Sequence, residues 1–357
     1  MKGQDCVKKT LHSGLEEDPN PAMVSGKWGL MERAIAETPV GIVDIETTGL
    51  NTGVDRVVEI SIVTVAPGQP PKIAFDTLIR PDRPIGGTEI HGITEQDVAD
   101  APRFCEIAEN VANELRGCAV GTYNAFFDIG FLEEEFHRAG LEQMPPYLCL
   151  MYLRPMIGLG DRCSLEDACQ AHEVDYVPAH QTAANALAAA QLYTVYLQAM
   201  KRRRLKTFKD LASLKDYKFV QSFYRDLLLA PAAVTNSTVA RSKSRNMNTL
   251  SPNRWPVFPV RQARPHQDAL HCYWEQLKSV ICDYCMNITE KEVTRLAQKR
   301  KELSLTAEEV RNLHARTFAD MVSSFVDDKR LDDRSCLTVQ RFYQWLRRLD
   351  DDLARDG

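Results

Sequence analysis

The sequence has no apolar run long enough to cross a lipid bilayer. Residues 1–21 read MKGQDCVKKTLHSGLEEDPNP, and this polar stretch lacks the apolar core of a secretory signal. These absences argue against an integral membrane protein and against a secreted one. We therefore expect a soluble, cytoplasmic protein with no membrane partner.

The sequence also has little net charge, −5 at pH 7, and no cysteine pattern. A balance this close to neutral gives no global sign of nucleic-acid binding, so any such binding has to come from local patches or metal ions. The ten cysteines are scattered without regular spacing. A chain of 357 residues can bury a core without disulfides, so they predict reduced thiols.

The chain is long, and its composition and hydrophobic pattern divide it into four regions. Its 357 residues exceed the usual size of one domain and predict two globular units with connectors. We expect an N-terminal arm, an α/β domain with a C-terminal helical extension, a flexible basic linker and a helical domain. Their predicted ranges are 1–35, 36–230, 231–265 and 266–357.

The first half of the chain alternates between strand and helix patterns. Three β-branched runs separated by turn residues lie between positions 38 and 80, and they predict a meander. Helical patterns then surround a short apolar strand, and a long Ala/Leu-rich helix is predicted over residues 180–200. The predicted fold class is α/β, a mixed sheet flanked by helices, with a separate all-α C-terminal domain.

Two carboxylates stand at the end of the first predicted strand, in the stretch VGIVDIETTGL. Asp44 and Glu46 are two residues apart, so they share one face of the strand. Neighbouring anions repel unless a cation lies between them, and hard oxygen ligands suit Mg²⁺ or Mn²⁺. The pair alone fits two solvated acids at a strand end at least as well.

Four further polar residues extend this candidate site. Asn124 ends a strand and Asp128 begins a helix among four phenylalanines, where an acid also suits the helix dipole. His180 leads into the long helix, and Asn185 follows five residues later. A histidine in that position alone is more often a cap or a packing residue than a base.

In order and spacing these motifs resemble the DnaQ-like, RNase H-like superfamily of 3′→5′ exonucleases, in its DEDDh-type subfamily with a catalytic histidine. Asp44 to Leu50 matches the first family motif, Asn124 to Asp128 the second, and His180 the third. The segment His91 to Thr94 is similar to one beside the nucleotide in proofreading-subunit relatives. The resemblance covers residues 38–200.

The resemblance implies a nucleic-acid partner with a free 3′ end, single-stranded DNA favoured, and release of nucleoside 5′-monophosphates. It implies two Mg²⁺ or Mn²⁺ ions as cofactors. The implied roles are proton removal from water by the catalytic His180, metal binding by Asp44, Glu46, Asp128 and Asn185, and substrate binding by Thr47, Thr48, His91 and Asn124.

Asn185 departs from the family pattern, which has an aspartate at this position. Asparagine keeps an oxygen but loses the negative charge that balances two divalent ions, so we expect weakened or absent hydrolysis. Either an engineered exchange or natural loss of catalysis accounts for it. The alternative function is a non-catalytic module that binds nucleic-acid ends or proteins through the same fold.

Outside the motifs, two features bear on partners. Lys201–Arg204, with Lys206 and Lys209, is either a patch that follows phosphates near the site or a complement to a helix C-terminus. The helical domain resembles TerB-like domains, and we expect it to serve docking to a protein partner or regulation. Cys282 and Cys285 have the spacing of half a zinc site, on a stretch that we predict to be helical.

Overall fold

The computed structural model describes residues 29–176, 182–214, 219–228, 265–281, 289–327 and 333–355. Most of the predicted N-terminal arm, nearly all of the basic linker and the Cys282–Cys285 pair lie outside these residues. The described chain contains one five-stranded sheet in the order β3-β2-β1-β4-β5. Its strands are β1 (Val40–Thr47), β2 (Val57–Val65), β3 (Lys72–Leu78), β4 (Ala119–Thr122) and β5 (Tyr147–Cys149).

The sheet is mixed, as predicted. Strand β1 pairs antiparallel with β2, and β2 pairs antiparallel with β3, which is the expected meander. On its other side β1 runs parallel to β4, and β4 runs parallel to β5. Seven of the eight β1 residues are buried, because helices cover both faces of this central strand. The predicted α/β class is confirmed.

Helices surround the sheet and continue beyond it. Those of the α/β part are α1 (Thr88–His91), α2 (Glu95–Val98), α3 (Phe104–Glu114), α4 (Ala125–Arg138), α5 (Leu150–Met156), α6 (Leu165–Ala171), α7 (Thr182–Arg202) and α8 (Phe208–Ala212). The C-terminal ones are α9 (Pro265–Ile281), α10 (Glu290–Glu302), α11 (Ala307–Asp327) and α12 (Asp333–Arg355). Among the helices so described, none has both the length and the apolar character needed to span a bilayer.

Helix α7 is the long alanine-rich helix that the sequence predicts. Its small side chains let it lie close to β1 and β2, against which it packs. The C-terminal helical extension that we predicted as far as residue 230 is not a continuous helix in the described residues. The helix ends at Arg202, Arg204 adopts a positive φ of 61°, and only α8 and a short 3₁₀ helix at Val220–Tyr224 follow.

The C-terminal helices have an apolar cluster of their own and are docked on the α/β part. Buried residues from all four helices form this cluster, and Ile90 of α1 belongs to it. Helix α9 packs directly on α1. Helix α11 begins within the stretch LTAEEV, where the Thr306 backbone N–H and hydroxyl donate to Glu309.

Candidate active site

The first two predicted metal ligands lie at the carboxyl end of β1. Asp44 is opposite Ser61 of β2, and Glu46 is opposite Glu59, just before the ladder shifts register at Thr47. Glu46 is buried and Asp44 is partly buried. The register shift between Glu46 and Thr47 disturbs regular pairing at this end of the strand, and Glu46 lines a cleft there.

Asp128 occupies the first turn of α4, which follows β4, the parallel neighbour of β1. It is buried, so it is not a solvated acid serving only the helix dipole. Asn124 stands at the N-cap position of α4, yet its side chain makes no capping hydrogen bond. Its buried Oδ1 has no hydrogen-bond partner within the described part of the chain.

The three carboxylates influence one another. Burial raises the pKa of Asp44 well above its usual value, and the negative charges of Asp128 and Glu46 raise it further. Burial likewise raises the pKa of Asp128 to about 7, although the nearby Lys278 acts in the opposite direction. Repulsion of this kind indicates that the acids share one buried space, as a cation site requires.

Asn185, on the first turns of α7, reaches the same place. Its Nδ2 lies 3.4 Å from Asp44 Oδ2 and donates to it, while its Oδ1 accepts from the Tyr176 hydroxyl at 3.1 Å. An aspartate at this position would meet Asp44 as a second anion. In the observed arrangement the amide oxygen faces Tyr176, and the amide nitrogen faces the carboxylates.

Three of the predicted substrate-binding residues line or adjoin the cleft, and each is held by the protein. The Thr47 hydroxyl donates to the Gly49 carbonyl at 2.6 Å, and that of Thr48 donates to Asp55 at 2.9 Å. His91 Nε2 lies 3.0 Å from the Gly86 carbonyl, and Nδ1 accepts from the Ile93 N–H at 3.1 Å. These bonds fix the loop that forms the cleft wall.

His180, the predicted proton acceptor, lies outside the described residues, and its role stays a prediction. The basic patch lies far from the carboxylates. Lys201 lies sixteen positions after Asn185 on α7, which is about 24 Å along a helix. Contact of this patch with phosphates therefore stays a prediction, and it would concern nucleotides away from the carboxylates.

The residues of this cleft lie in a part of the chain that matches a known family. Residues 42–193 match the RNase_T family model, described as exonuclease. This segment is a DnaQ-like exonuclease domain. The match begins two residues before Asp44 and ends beyond Asn185, so it contains every residue that the sequence assigns to the site.

Two curated relatives illustrate the resemblance. A DNA polymerase III subunit epsilon-like protein of Rhodobacter capsulatus is 34% identical over 192 residues, which are 50% of this chain and 27% of the relative. DNA polymerase III subunit epsilon of Pasteurella multocida is 29% identical over 145 residues, 38% of this chain and 57% of the relative. The chain thus spans about a quarter to little more than half of these proteins.

Among solved structures, Escherichia coli exonuclease I in complex with a dT13 oligonucleotide matches with 16% identity and a TM-score of 0.37. The match covers 47% of this chain and 42% of the other. A moderately thermophilic exonuclease I from Methylocaldum szegediense gives 16% identity and a TM-score of 0.38.

Helix α9 supplies polar residues to the exonuclease domain's cleft that the sequence reasoning missed. His271 Nε2 lies 3.3 Å from Glu46 Oε1, and Glu275 pairs with Lys278 at 2.5 Å. Burial opposes ionisation of Glu46, but the hydrogen bond and charge of His271 outweigh it and lower the pKa of Glu46 to about 2. A signal existed, because His271, Glu275 and Lys278 recur at helical spacing among apolar residues.

The donor set fits a hard divalent cation in chemical type. Asp44, Glu46 and Asp128 offer carboxylate oxygens, which Mg²⁺ and Mn²⁺ prefer, and Glu46 and Asp128 are buried. With α9 docked, however, no group of three His, Cys, Asp or Glu side chains in the described ranges has an arrangement that could hold a metal ion. The cation that faces the carboxylates in this arrangement is the Lys278 ammonium, whose charge lowers the pKa of Asp128.

Proposed function

We propose that this chain acts on the 3′ ends of nucleic acids, single-stranded DNA foremost, as a 3′→5′ exonuclease whose hydrolysis is weakened by Asn185. The observation that carries the proposal is the buried convergence of Asp44, Glu46 and Asp128 within a DnaQ-like exonuclease domain. Two Mg²⁺ or Mn²⁺ ions at these carboxylates would stabilise the attacking and leaving oxygens of a phosphodiester.

The roles of the chain's own residues follow from their positions. The three carboxylates would hold the ions, and His180 would accept the proton of the attacking water. Asn124, with its unpartnered buried oxygen, and the cleft wall at Thr47, Thr48 and His91 would orient the terminal nucleotide. An end and a phosphate suffice for such binding without base readout, which agrees with the modest net charge.

Asn185 is the reason to expect weak hydrolysis. Two divalent ions carry four positive charges, and three carboxylates leave one of them unbalanced. The amide also donates its N–H to Asp44, a direction opposite to that of a metal ligand. Misplacement of a metal-bound phosphate by about 1 Å costs on the order of 10²-fold in rate.

Asn185→Asp in the full chain tests this proposal. We expect Mg²⁺-dependent release of mononucleotides from 3′ ends to rise by about 10²-fold over the unaltered chain. Single-stranded DNA, duplex DNA and RNA of one sequence, each with Mg²⁺ and with Mn²⁺, identify the substrate. The double variant Asn185→Asp, Asp44→Ala is the control and should lose this gain. An unaltered chain that is already as fast contradicts the role of Asn185.

The alternative of a non-catalytic binding module rests on a separate observation. Asn185 and Lys278 both present hydrogen-bond donors or positive charge to acids that an active enzyme would leave for metal ions. Fluorescence anisotropy with strands bearing a 3′ hydroxyl or a 3′ phosphate measures end binding directly. Tight binding without mononucleotide release from the Asn185→Asp chain would favour the module over the enzyme.

A further inference from the structure

We propose that helix α9 is a built-in inhibitor of the exonuclease domain, and that docked α9 and bound divalent cations exclude each other. Lys278 and His271 of this helix take the place of cations at the carboxylates, and the neighbouring helices fill the cleft beside them. The inference rests on the proposed function for what the carboxylates bind.

Lys278 is the residue of α9 whose positive charge takes the place of a cation in this proposed inhibition. Its side chain is only 11% exposed, and lysine is rarely buried in proteins unless its charge is paired. Its Nζ pairs with Glu275 and lies 4.3 Å from the centre of the Phe127 ring, one residue before Asp128. The Trp274 ring adds a second aromatic face at 5.7 Å. A buried ammonium held among acids and aromatic faces balances negative charge that would otherwise require an ion.

His271 contacts Glu46, the second of the two predicted metal ligands at the end of β1. The His271 and Glu46 side chains are 1% and 6% exposed, and their facing atoms are 3.3 Å apart. Glu46 is thereby turned toward a side chain of α9 instead of toward a shared ion. Both α9 groups thus contact or face residues that the domain needs for metal binding, and neither can stay where it is when ions enter.

The docked helices also occupy the place of the substrate. Glu46, Thr47 and His91 line one side of the cleft, while Trp274, Leu313 and Arg316 of α9 and α11 line the other. Gln267 of α9 donates to the Thr88 carbonyl, and Arg316 of α11 pairs with Glu89. Helix α1 therefore contacts both of these C-terminal helices. A terminal nucleotide cannot enter between these walls without displacing the C-terminal helices.

The contacts that dock the C-terminal helices combine buried pairs, such as His271 with Glu46, with exposed ones. Beside the apolar contact at Ile90, they include exposed pairs such as Lys291 with Asp161 at 3.0 Å, and exposed pairs contribute little each. A ligand that binds only the undocked form shifts the population toward that form by its differential affinity. Divalent cations and 3′ ends are two such ligands, and they would act together.

The test measures Mn²⁺ binding to the full chain without nucleic acid. We expect Lys278→Met, which keeps the apolar stem and removes the charge, to raise Mn²⁺ affinity by about tenfold or more, as read by electron paramagnetic resonance. Lys291→Met, at an exposed pair of the same C-terminal helices, is the matched control and should leave the affinity unchanged. Equal Mn²⁺ affinity of the Lys278→Met chain and the unaltered chain would overturn the inference.

A second measurement needs no variant and decides the matter if Lys278→Met does not fold. Saturating Mn²⁺ added to the unaltered chain should accelerate amide hydrogen exchange in residues 265–281 and leave β1 and β2 unchanged. Unchanged or slower exchange in α9 would mean that the helix tolerates the metal or helps to bind it, which contradicts exclusion. Because neither readout involves cleavage, failure of the exonuclease proposal and failure of this inference are distinguishable.

Discussion

Glu135 shows how much a single buried residue contributes to the exonuclease domain. Its side chain, only 1% exposed, accepts from Arg56 Nε at 2.6 Å and Nη2 at 2.9 Å and also from the Val57 N–H. Glu135→Ala leaves the guanidinium without its main partner, so we expect the free energy of unfolding to fall by about 3 kcal/mol. Glu134→Ala, which breaks a more exposed pair with Arg138, at 36% and 24% exposure, should cost under about 1 kcal/mol in the same urea titration. Equal losses would contradict the difference in burial.

Among the site residues, the sequence could identify those whose positions depend on local strand geometry or on a family motif. Asp44 and Glu46 are two positions apart on a strand, so strand geometry alone predicts that they share a face. The placement of Asp128 beside them was implied by the family resemblance, and the parallel pairing of β1 with β4 accounts for it. Lys278 could not be found in this way, because it lies 150 residues from Asp128 and its meaning comes only from docking. The direction of the Asn185 amide also depends on Tyr176, a partner that no sequence motif names.

The alanines of α7 set the distance between this helix and the sheet. Ala186 and Ala190 are one turn apart and fully buried, and the helix packs on β1 and β2. Ala190→Leu inserts three carbons where no space exists, and we expect it to lower the free energy of unfolding by about 2 kcal/mol. Gln198→Leu, at an exposed position of the same helix, should change it by no more than about 0.5 kcal/mol. Similar values for the two variants would show that the helix can move outward freely.

Element types were predictable, whereas their ends were less so. Periods of two and of 3.6 residues identified the meander and the long helix, because the buried faces of strands and helices recur at those spacings. The stop at Arg202 was missed, since Lys and Arg are good helix formers and nothing local forbids continuation. The chain turns there instead, and the Lys206 carbonyl accepts from the Ile35 N–H. That contact between distant segments outweighs the local preference.

The relation of the C-terminal helices to the exonuclease domain belongs to the scale of the whole molecule. The sequence predicted an all-α region and a docking or regulatory role, but not the surface on which it docks. The contacts that hold it join residues far apart in the chain, such as Lys299 with Glu166 at 2.6 Å and Gln267 with Thr88. Each is an ordinary polar pair, so only the folded arrangement shows that they join the C-terminal helices to the exonuclease domain.

Ile90 is the buried residue of the exonuclease domain in the C-terminal cluster, and Leu50, partly buried, also packs against that cluster. Ile90→Asp places a charge in that cluster, so docking should weaken while the sheet stays intact. We expect faster amide exchange in α9, unchanged exchange in β1 and a larger radius of gyration in small-angle X-ray scattering. The control is Ile73→Asp on β3, a position 44% exposed and away from the C-terminal helices.

Combined with Asn185→Asp, the Ile90→Asp change should give more nuclease activity than the product of the two single effects, because each removes a different obstacle to the same pair of ions. Independent effects of the two substitutions would mean that docking of α9 and metal binding are not linked.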